Sequence, residues 1–132
     1  MAGELILIIE DNEKNRRLVR DVLQFKGYQT IESETGEEGV ELARGRQPAL
    51  VLMDIQLPGI DGYEATRRIR RAESDADARP VPIFALTADA LETGRKACLV
   101  AGMDGFLTKP VDPAEIDAVL ATIIPSTVVA AE

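Results

Sequence analysis

The sequence contains no histidine, no tryptophan and a single cysteine among its 132 residues. Without histidine, the chain has no histidine general base, no histidine metal ligand and no phosphohistidine donor of its own. A single cysteine excludes an intramolecular disulfide and a cysteine-cluster metal site. Cys98 lies in an apolar stretch, which predicts a small buried side chain rather than a reactive thiol.

Long hydrophobic segments and an excess of positive charge are also missing. No run approaches the ~18 apolar residues of a membrane helix, and the first residues are unlike a signal peptide. These absences predict a cytoplasmic protein that does not bind membranes. The formal net charge is −8, so the surface should repel phosphates, and direct binding to nucleic acid is not expected.

Short strand-like runs alternate regularly with amphipathic stretches along the whole chain. The runs predict five strands, at Leu5–Ile9, Gln29–Ser33, Ala49–Met53, Val81–Ala85 and Phe106–Thr108. Helical spacing and capping residues predict five helices, at Asn12–Lys26, Thr35–Gly45, Asp61–Ala72, Leu91–Ala101 and from Asp112 to about Ile123. Strict alternation, with strands apolar on both faces, predicts an α/β fold in which helices cover both sides of a parallel sheet.

The length and this pattern predict one domain. We expect it to span residues 1–124 and to be followed by a short C-terminal tail at residues 125–132, with no output domain. The polar stretch Glu73–Arg79 is predicted to be a connector within the domain.

Polar side chains follow four of the five predicted strands. Glu10 and Asp11 come after the first, Asp54 after the third, Thr87 after the fourth and Lys109 after the fifth. Parallel strands point the same way, so these residues should meet at the carboxyl edge of the sheet, where open α/β sheets bind ligands. Neighbouring carboxylates repel, and Mg²⁺ is the hard cation that such oxygen groups would hold. A carboxylate in this setting can attack phosphorus and form an aspartyl phosphate.

Four sequence blocks resemble the receiver domain of two-component response regulators, over about Leu5–Ile124. They are Ile-Ile-Glu-Asp-Asn at 8–12, Leu-Met-Asp-Ile-Gln-Leu-Pro-Gly at 52–59, Ala-Leu-Thr-Ala at 85–88 and Leu-Thr-Lys-Pro at 107–110. The resemblance implies a single doubly wound (βα)5 flavodoxin-like domain with strand order 2-1-3-4-5. The amino-acid sequence is similar both to receivers of hybrid histidine kinases and to stand-alone receivers of phosphorelays, and it leaves that choice open.

The resemblance also implies the chemistry of the acidic residues. Asp54 would be the phosphoacceptor. The Mg²⁺ ligands would be Asp11, Asp54 and the backbone carbonyl of Gln56, with Glu10 acting mainly through water. Gln56 and Asp89 would together set the lifetime of the phosphoryl group.

The remaining matching positions imply a switch. Thr87 and Lys109 would hold the phosphoryl group, and Thr87 and Phe106 would move together when it is added. Phe106 stands where many relatives have tyrosine, so the ring would act without a hydroxyl. The Lys109–Pro110 bond would be cis.

The function implied is that of a signalling module rather than an enzyme acting on substrates. It would take a phosphoryl group from a phosphohistidine of a histidine kinase or a histidine phosphotransfer protein and switch the surface that binds a downstream effector protein. The alternative is a receiver fragment of a hybrid kinase that passes the phosphoryl group to a histidine phosphotransfer protein.

Three other functions fit the residues less well. A phosphatase of the haloacid dehalogenase type would need an aspartate two residues after Asp54, where the chain has Gln56. A flavin carrier would need a phosphate-binding loop where Glu10 and Asp11 repel phosphate. A degenerate receiver used only for binding would not need the complete set of site residues.

The first helix has two open interpretations. Asn15, Arg16 and Leu18 fit a partner-docking face and fit a plain amphipathic helix equally well.

Overall fold

The computed structural model describes residues 3–88 and 92–123 of the chain. Three sequence predictions lie outside the described residues. They are the role of Asp89, the start of the fourth helix at Leu91, and the boundary between the domain and its tail, from residue 124 onward.

Five strands and five helices alternate along the described residues. Their bounds are β1 Leu5–Ile9, α1 Glu13–Phe25, β2 Gln29–Ser33, α2 Gly36–Arg46, β3 Leu50–Asp54, α3 Gly62–Asp75, β4 Ile83–Thr87, α4 Glu92–Ala101, β5 Gly105–Thr108 and α5 Pro113–Ile123. The strands form one parallel sheet in the order β2-β1-β3-β4-β5. The predicted doubly wound (βα)5 flavodoxin-like fold is confirmed.

The fourth strand begins two residues later than predicted, at Ile83 instead of Val81. Pro80 and Pro82 have no N–H group to donate to a neighbouring strand, so regular pairing starts only after the second proline. β4 also ends two residues later than predicted, so Thr87 is the last residue of the strand.

The third strand and third helix also end later than predicted. β3 includes Asp54, and α3 extends to Asp75, through part of the stretch that was predicted to be a connector. Glu73 explains the longer helix, because one carboxylate oxygen accepts a bond from Arg70 one turn earlier at 2.9 Å and the other accepts the Val81 N–H at 2.8 Å.

The hydrophobic core has one layer on each face of the sheet. In β1, Ile6 and Ile8 pack with residues of α1 and α5, whereas Leu7 and Ile9 pack with residues of α2, α3 and α4. All four side chains are fully buried, and each contributes roughly 1.5–3 kcal/mol. Cys98 is buried in the second layer, which confirms the prediction of a buried side chain. Burial raises the pKa of its thiol.

Side-chain caps fix the starts of the helices that follow the carboxyl edge of the sheet. Asn12 accepts the Asn15 N–H at 3.0 Å before α1, and Asp61 accepts the Glu64 N–H at 2.8 Å before α3. Thr35 caps α2 in the same way. The caps hold the loops that follow β1, β2 and β3 in fixed positions.

Among the helices of residues 3–88 and 92–123, none combines the length and apolar character needed to cross a membrane.

Candidate functional site

The ends of β1, β3 and β5 bring two buried carboxylates and one ammonium group into direct contact. The Nζ atom of Lys109 lies 2.8 Å from Oε1 of Glu10 and 3.1 Å from Oδ1 of Asp54. Glu10 is 1% exposed and Asp54 5% exposed. The parallel order of the strands is enough to produce this arrangement, as the sequence predicted.

Asp11 completes an acidic cluster with Glu10 and Asp54. One carboxylate oxygen from each of the three residues lies within 4.8 Å of the others. When all three carboxylates are ionised, the single ammonium leaves two negative charges in the cluster. Asp11 is exposed, so one side of the cluster is open to water. Oxygen ligands that leave room for water suit Mg²⁺, so the residues present fit that ion.

The buried carboxylates are also held by the backbone. The Asn12 N–H donates to Oε2 of Glu10 at 3.1 Å, and the Gln56 N–H donates to Oδ1 of Asp54 at 3.2 Å. The contacts of Asp54 with Lys109 and with the Gln56 N–H both reach the same oxygen, Oδ1. Asp54 therefore has one anchored oxygen and one that is available for chemistry. The side chain of Gln56 is exposed. The role of the Gln56 backbone carbonyl as a metal ligand stays a prediction.

Close packing fixes the backbone that carries Asp54. A Cβ atom added at Gly62 would lie 2.4 Å from the Asp54 carbonyl oxygen and 2.8 Å from Cα of Ile55, so only glycine fits the start of α3. The Gly62 N–H donates to the Ile55 carbonyl at 2.8 Å. The first turn of α3 therefore packs directly on the strand end that presents the carboxylate.

The electrostatics of the cluster shift two pKa values. Burial, reinforced by Asp54, raises the pKa of Glu10 from its ordinary value of 4.5 to about 7, although Lys109 opposes the rise. Burial acts to lower the pKa of Lys109, but its hydrogen bonds and charge interactions with Glu10 and Asp54 outweigh burial and raise it. Lys109 is therefore charged at neutral pH, when Glu10 is close to its own pKa.

We expect the stability of the metal-free protein to depend on Glu10. Its pKa is higher in the folded chain, so its stabilising contribution is full below about pH 4.5 and is lost as the pH rises through about 7. The free energy of unfolding should fall between about pH 5 and about pH 8, and it should fall less in Glu10→Gln, which does not titrate. Urea unfolding followed by circular dichroism measures both slopes, and equal slopes would contradict the assignment.

The predicted switch residues lie on one face of the sheet. Thr87 is the end of β4, and its carbonyl accepts the Lys109 N–H at 2.7 Å. Phe106 pairs in register with Ala85, two residues before Thr87, so Phe106 and Thr87 point to the same side. The Arg95 guanidinium lies 5.0 Å from the centre of the Phe106 ring. Thr87 and Phe106 therefore lie on the same face, as the proposed switch requires, but their coupled movement stays a prediction. The Lys109–Pro110 peptide bond is cis, as expected.

Arg16 has a role at this site that the sequence did not reveal. Its Nη1 atom donates to the Glu10 carbonyl at 2.9 Å and its Nε atom lies 3.0 Å from Oε1 of Glu32, with only 14% of the side chain exposed. Arg16 therefore points inward, whereas Leu18 is 44% exposed, and a partner-docking face on this helix stays a prediction. The sequence gives one sign of this inward position, which is that Arg16 lies one helical turn after the Asn12 cap and so on the side of α1 that begins at the strand end.

Comparisons with known proteins agree with this geometry. The family model of the response regulator receiver domain matches residues 6–121. The polar-differentiation response regulator DivK of Brucella ovis is 38% identical over 106 residues, which are 80% of this chain and 84% of DivK.

Two solved structures are similar as well. The receiver domain of the sensor histidine kinase PA1611 from Pseudomonas aeruginosa, solved with a magnesium ion in its active-site cleft, is 40% identical with a TM-score of 0.84, covering 94% of this chain and 99% of that one. The receiver domain of Saccharomyces cerevisiae Ssk1, crystallised with the histidine phosphotransfer protein Ypd1, is 28% identical with a TM-score of 0.87, covering 92% and 89%.

The family match covers most of the chain, and the strand-end residues that carried the resemblance lie together at one edge of the sheet. The chain therefore belongs to the response regulator receiver domain family and is a signalling module of two-component systems.

Proposed function

We propose that Asp54 accepts a phosphoryl group from a phosphohistidine of a histidine kinase or a histidine phosphotransfer protein. The observation that carries the proposal is the setting of Asp54, a buried strand-end carboxylate with one oxygen anchored by Lys109 and the Gln56 N–H. Asp54 lies beside two further carboxylates that fit Mg²⁺.

In this reaction the available oxygen of Asp54 forms a bond to phosphorus as the bond between phosphorus and the histidine nitrogen breaks. The electron pair of the broken bond leaves with the imidazole. Charge on the phosphoryl oxygens must be balanced, and the Lys109 ammonium, already 3.1 Å from Asp54, is placed to do this. The Thr87 hydroxyl would donate a further hydrogen bond. Held by Glu10, Asp11, Asp54 and the Gln56 carbonyl, Mg²⁺ would supply additional positive charge at the phosphoryl oxygens.

Readout would begin at Thr87. A phosphoryl group on Asp54 adds negative charge and acceptor oxygens beside the end of β4. Thr87 would move toward it, and Phe106, on the same face of the sheet, would turn inward and away from Arg95. The change would alter the surface of α4, β5 and α5, where Leu99 and Val100 are 63% and 85% exposed and would contact a downstream effector protein.

The partners are inferred from the relatives. Ssk1 was crystallised with a histidine phosphotransfer protein, and the PA1611 receiver belongs to a sensor histidine kinase. This chain would bind proteins of the same classes, either as a stand-alone receiver or as the receiver of a hybrid kinase that passes the group on. We also propose a receiver domain over residues 1–124 with a tail at 125–132. A cytoplasmic location stays a prediction.

The proposal is tested by phosphorylation with a small donor. With acetyl phosphate and Mg²⁺, intact-mass spectra should show the addition of one phosphoryl group, which hydroxylamine removes because it cleaves acyl phosphates. Chelation of the metal should prevent the addition, since the cluster of Glu10, Asp11 and Asp54 would then lack its counter-charge. Equal addition with and without chelator, or a modification that resists hydroxylamine, would contradict the proposal.

A further inference from the structure

The three carboxylates of the acidic cluster are not held equally. Glu10 and Asp54 each contact Lys109 and accept a backbone N–H. Asp11 makes no hydrogen bond or ion pair with any residue that the structure describes, and it is exposed. Its position in the cluster is therefore set by its backbone alone.

Arg16 holds that backbone. The Glu10 carbonyl, which accepts its bond at 2.9 Å, belongs to the peptide unit that joins Glu10 to Asp11. Because a peptide unit is planar, fixing its carbonyl also fixes the direction of the Asp11 N–H. In the preceding peptide unit, which joins Ile9 to Glu10, the Glu10 N–H donates to the Ser33 carbonyl of β2 at 3.0 Å, so the backbone is held on both sides of the Glu10 Cα.

Glu32 keeps the Arg16 side chain in place. Its Oε1 atom lies 3.0 Å from Nε of Arg16, and its Oε2 atom lies 3.6 Å from Nη1 of Arg20. The planar guanidinium bridges the end of β1 and the end of β2 through two different donors, which an ammonium group cannot do in the same way. Arg20 shares the Glu32 carboxylate and also pairs with Asp21, and in the described residues no hydrogen bond joins it to the Glu10 carbonyl.

We propose that Arg16 is a positioning residue for the Mg²⁺ site, acting through the Glu10–Asp11 peptide to hold Asp11 in the cluster. The inference rests on the proposed function. Residues that orient metal ligands are often worth about tenfold or more in metal affinity.

A role of Arg16 through its charge and a role through its position predict opposite changes in Mg²⁺ affinity when Arg16 is removed, which makes the proposal testable. If Arg16 acted only as a nearby positive charge, its removal would make the cluster more negative and strengthen Mg²⁺ binding. If it positions Asp11, its removal weakens binding although the cluster gains negative charge.

The experiment is calorimetric titration of the folded proteins with MgCl₂ alone, comparing wild type with Arg16→Gln, Arg16→Lys and the control Arg20→Gln. Arg16→Gln should bind Mg²⁺ about tenfold more weakly, and Arg16→Lys should be weakened to a similar extent because the lost geometry matters more than the retained charge. Arg20→Gln should bind as tightly as wild type or slightly more tightly, because it removes one charge without touching the peptide.

Two further measurements make each outcome decisive. The Asp11 amide signal in NMR spectra of metal-free protein should shift or broaden in Arg16→Gln and not in Arg20→Gln. If Arg16→Gln does not fold, Glu32→Ala, which removes the acceptor of the Arg16 Nε–H, should give the same direction of change at severalfold size.

Unchanged or tighter Mg²⁺ binding in Arg16→Gln, or in Glu32→Ala if that variant is used, would overturn the proposal. Full affinity in Arg16→Lys would also overturn it, since charge alone would then be sufficient. Failure of the wild type to bind Mg²⁺ would instead overturn the proposed function, so the two failures are distinguishable.

Discussion

Replacing Lys109 with methionine should lower the free energy of unfolding by about 3 kcal/mol at neutral pH in metal-free buffer. In the described residues, Lys109 is the only cation within 4.0 Å of the carboxylate oxygens of Glu10 and Asp54. Without it, two buried carboxylates face each other with no opposite charge. Part of the loss is relieved by protonation of Glu10, whose pKa is already raised to about 7, so the deficit should shrink in acid.

Lys26 provides a matched control. Its side chain is 20% exposed, as is that of Lys109, but its partner Asp117 is 63% exposed, so the ion pair lies largely in water. Lys26→Met should therefore cost less than about 1 kcal/mol. Added Mg²⁺ should stabilise Lys109→Met more than it stabilises wild type, because the ion replaces the missing charge.

Urea unfolding at two pH values, with and without Mg²⁺, measures these differences. Equal losses in Lys109→Met and Lys26→Met would show that Lys109 is an ordinary surface charge. A loss in Lys109→Met that does not depend on pH would show that Glu10 and Lys109 are not coupled.

The sequence was sufficient to predict the layout of the fold and most of the site. Continuous apolar runs such as residues 50–53 can be buried only between two layers of helices, and parallel strands must bring Glu10, Asp54 and Lys109 to one edge. Ends of elements were less well predicted, because Pro82 delays β4 and Glu73 prolongs α3 through side-chain contacts with Arg70 and Val81.

Arg16 and Glu10 show what sequence reasoning missed. Arg16 follows a helical pattern that suits either a solvated or an inward side chain, and only the position of Glu32 on β2 decides between them. The raised pKa of Glu10 depends on how completely the surrounding structure excludes water, which no local pattern reveals.

The largest effect on function is expected from Asp54→Asn, which should abolish phosphorylation. Asparagine has nearly the same shape and keeps an oxygen that can accept the Gln56 N–H, so the fold and the Glu10–Lys109 pair should survive. What is lost is the carboxylate nucleophile, because an amide oxygen does not form a stable bond to phosphorus under these conditions. Asp11 is the competing acceptor, since it lies in the same cluster and is more exposed.

Asp61→Asn is the matched control for this change. Asp61 is an exposed helix cap on the loop that follows β3, and asparagine caps a helix equally well. The control therefore makes the same chemical change close to Asp54 without altering the cluster, and it should be phosphorylated like wild type.

The most direct measurement is intact-mass spectrometry of wild type, Asp54→Asn and Asp61→Asn after incubation with acetyl phosphate and Mg²⁺, followed by peptide mapping of the product. Asp54 should carry one phosphoryl group in wild type and in Asp61→Asn, and Asp54→Asn should carry none. Labelling of Asp54→Asn to the wild-type level, or a phosphoryl group mapped to Asp11, would contradict the assignment of Asp54 as the phosphoacceptor.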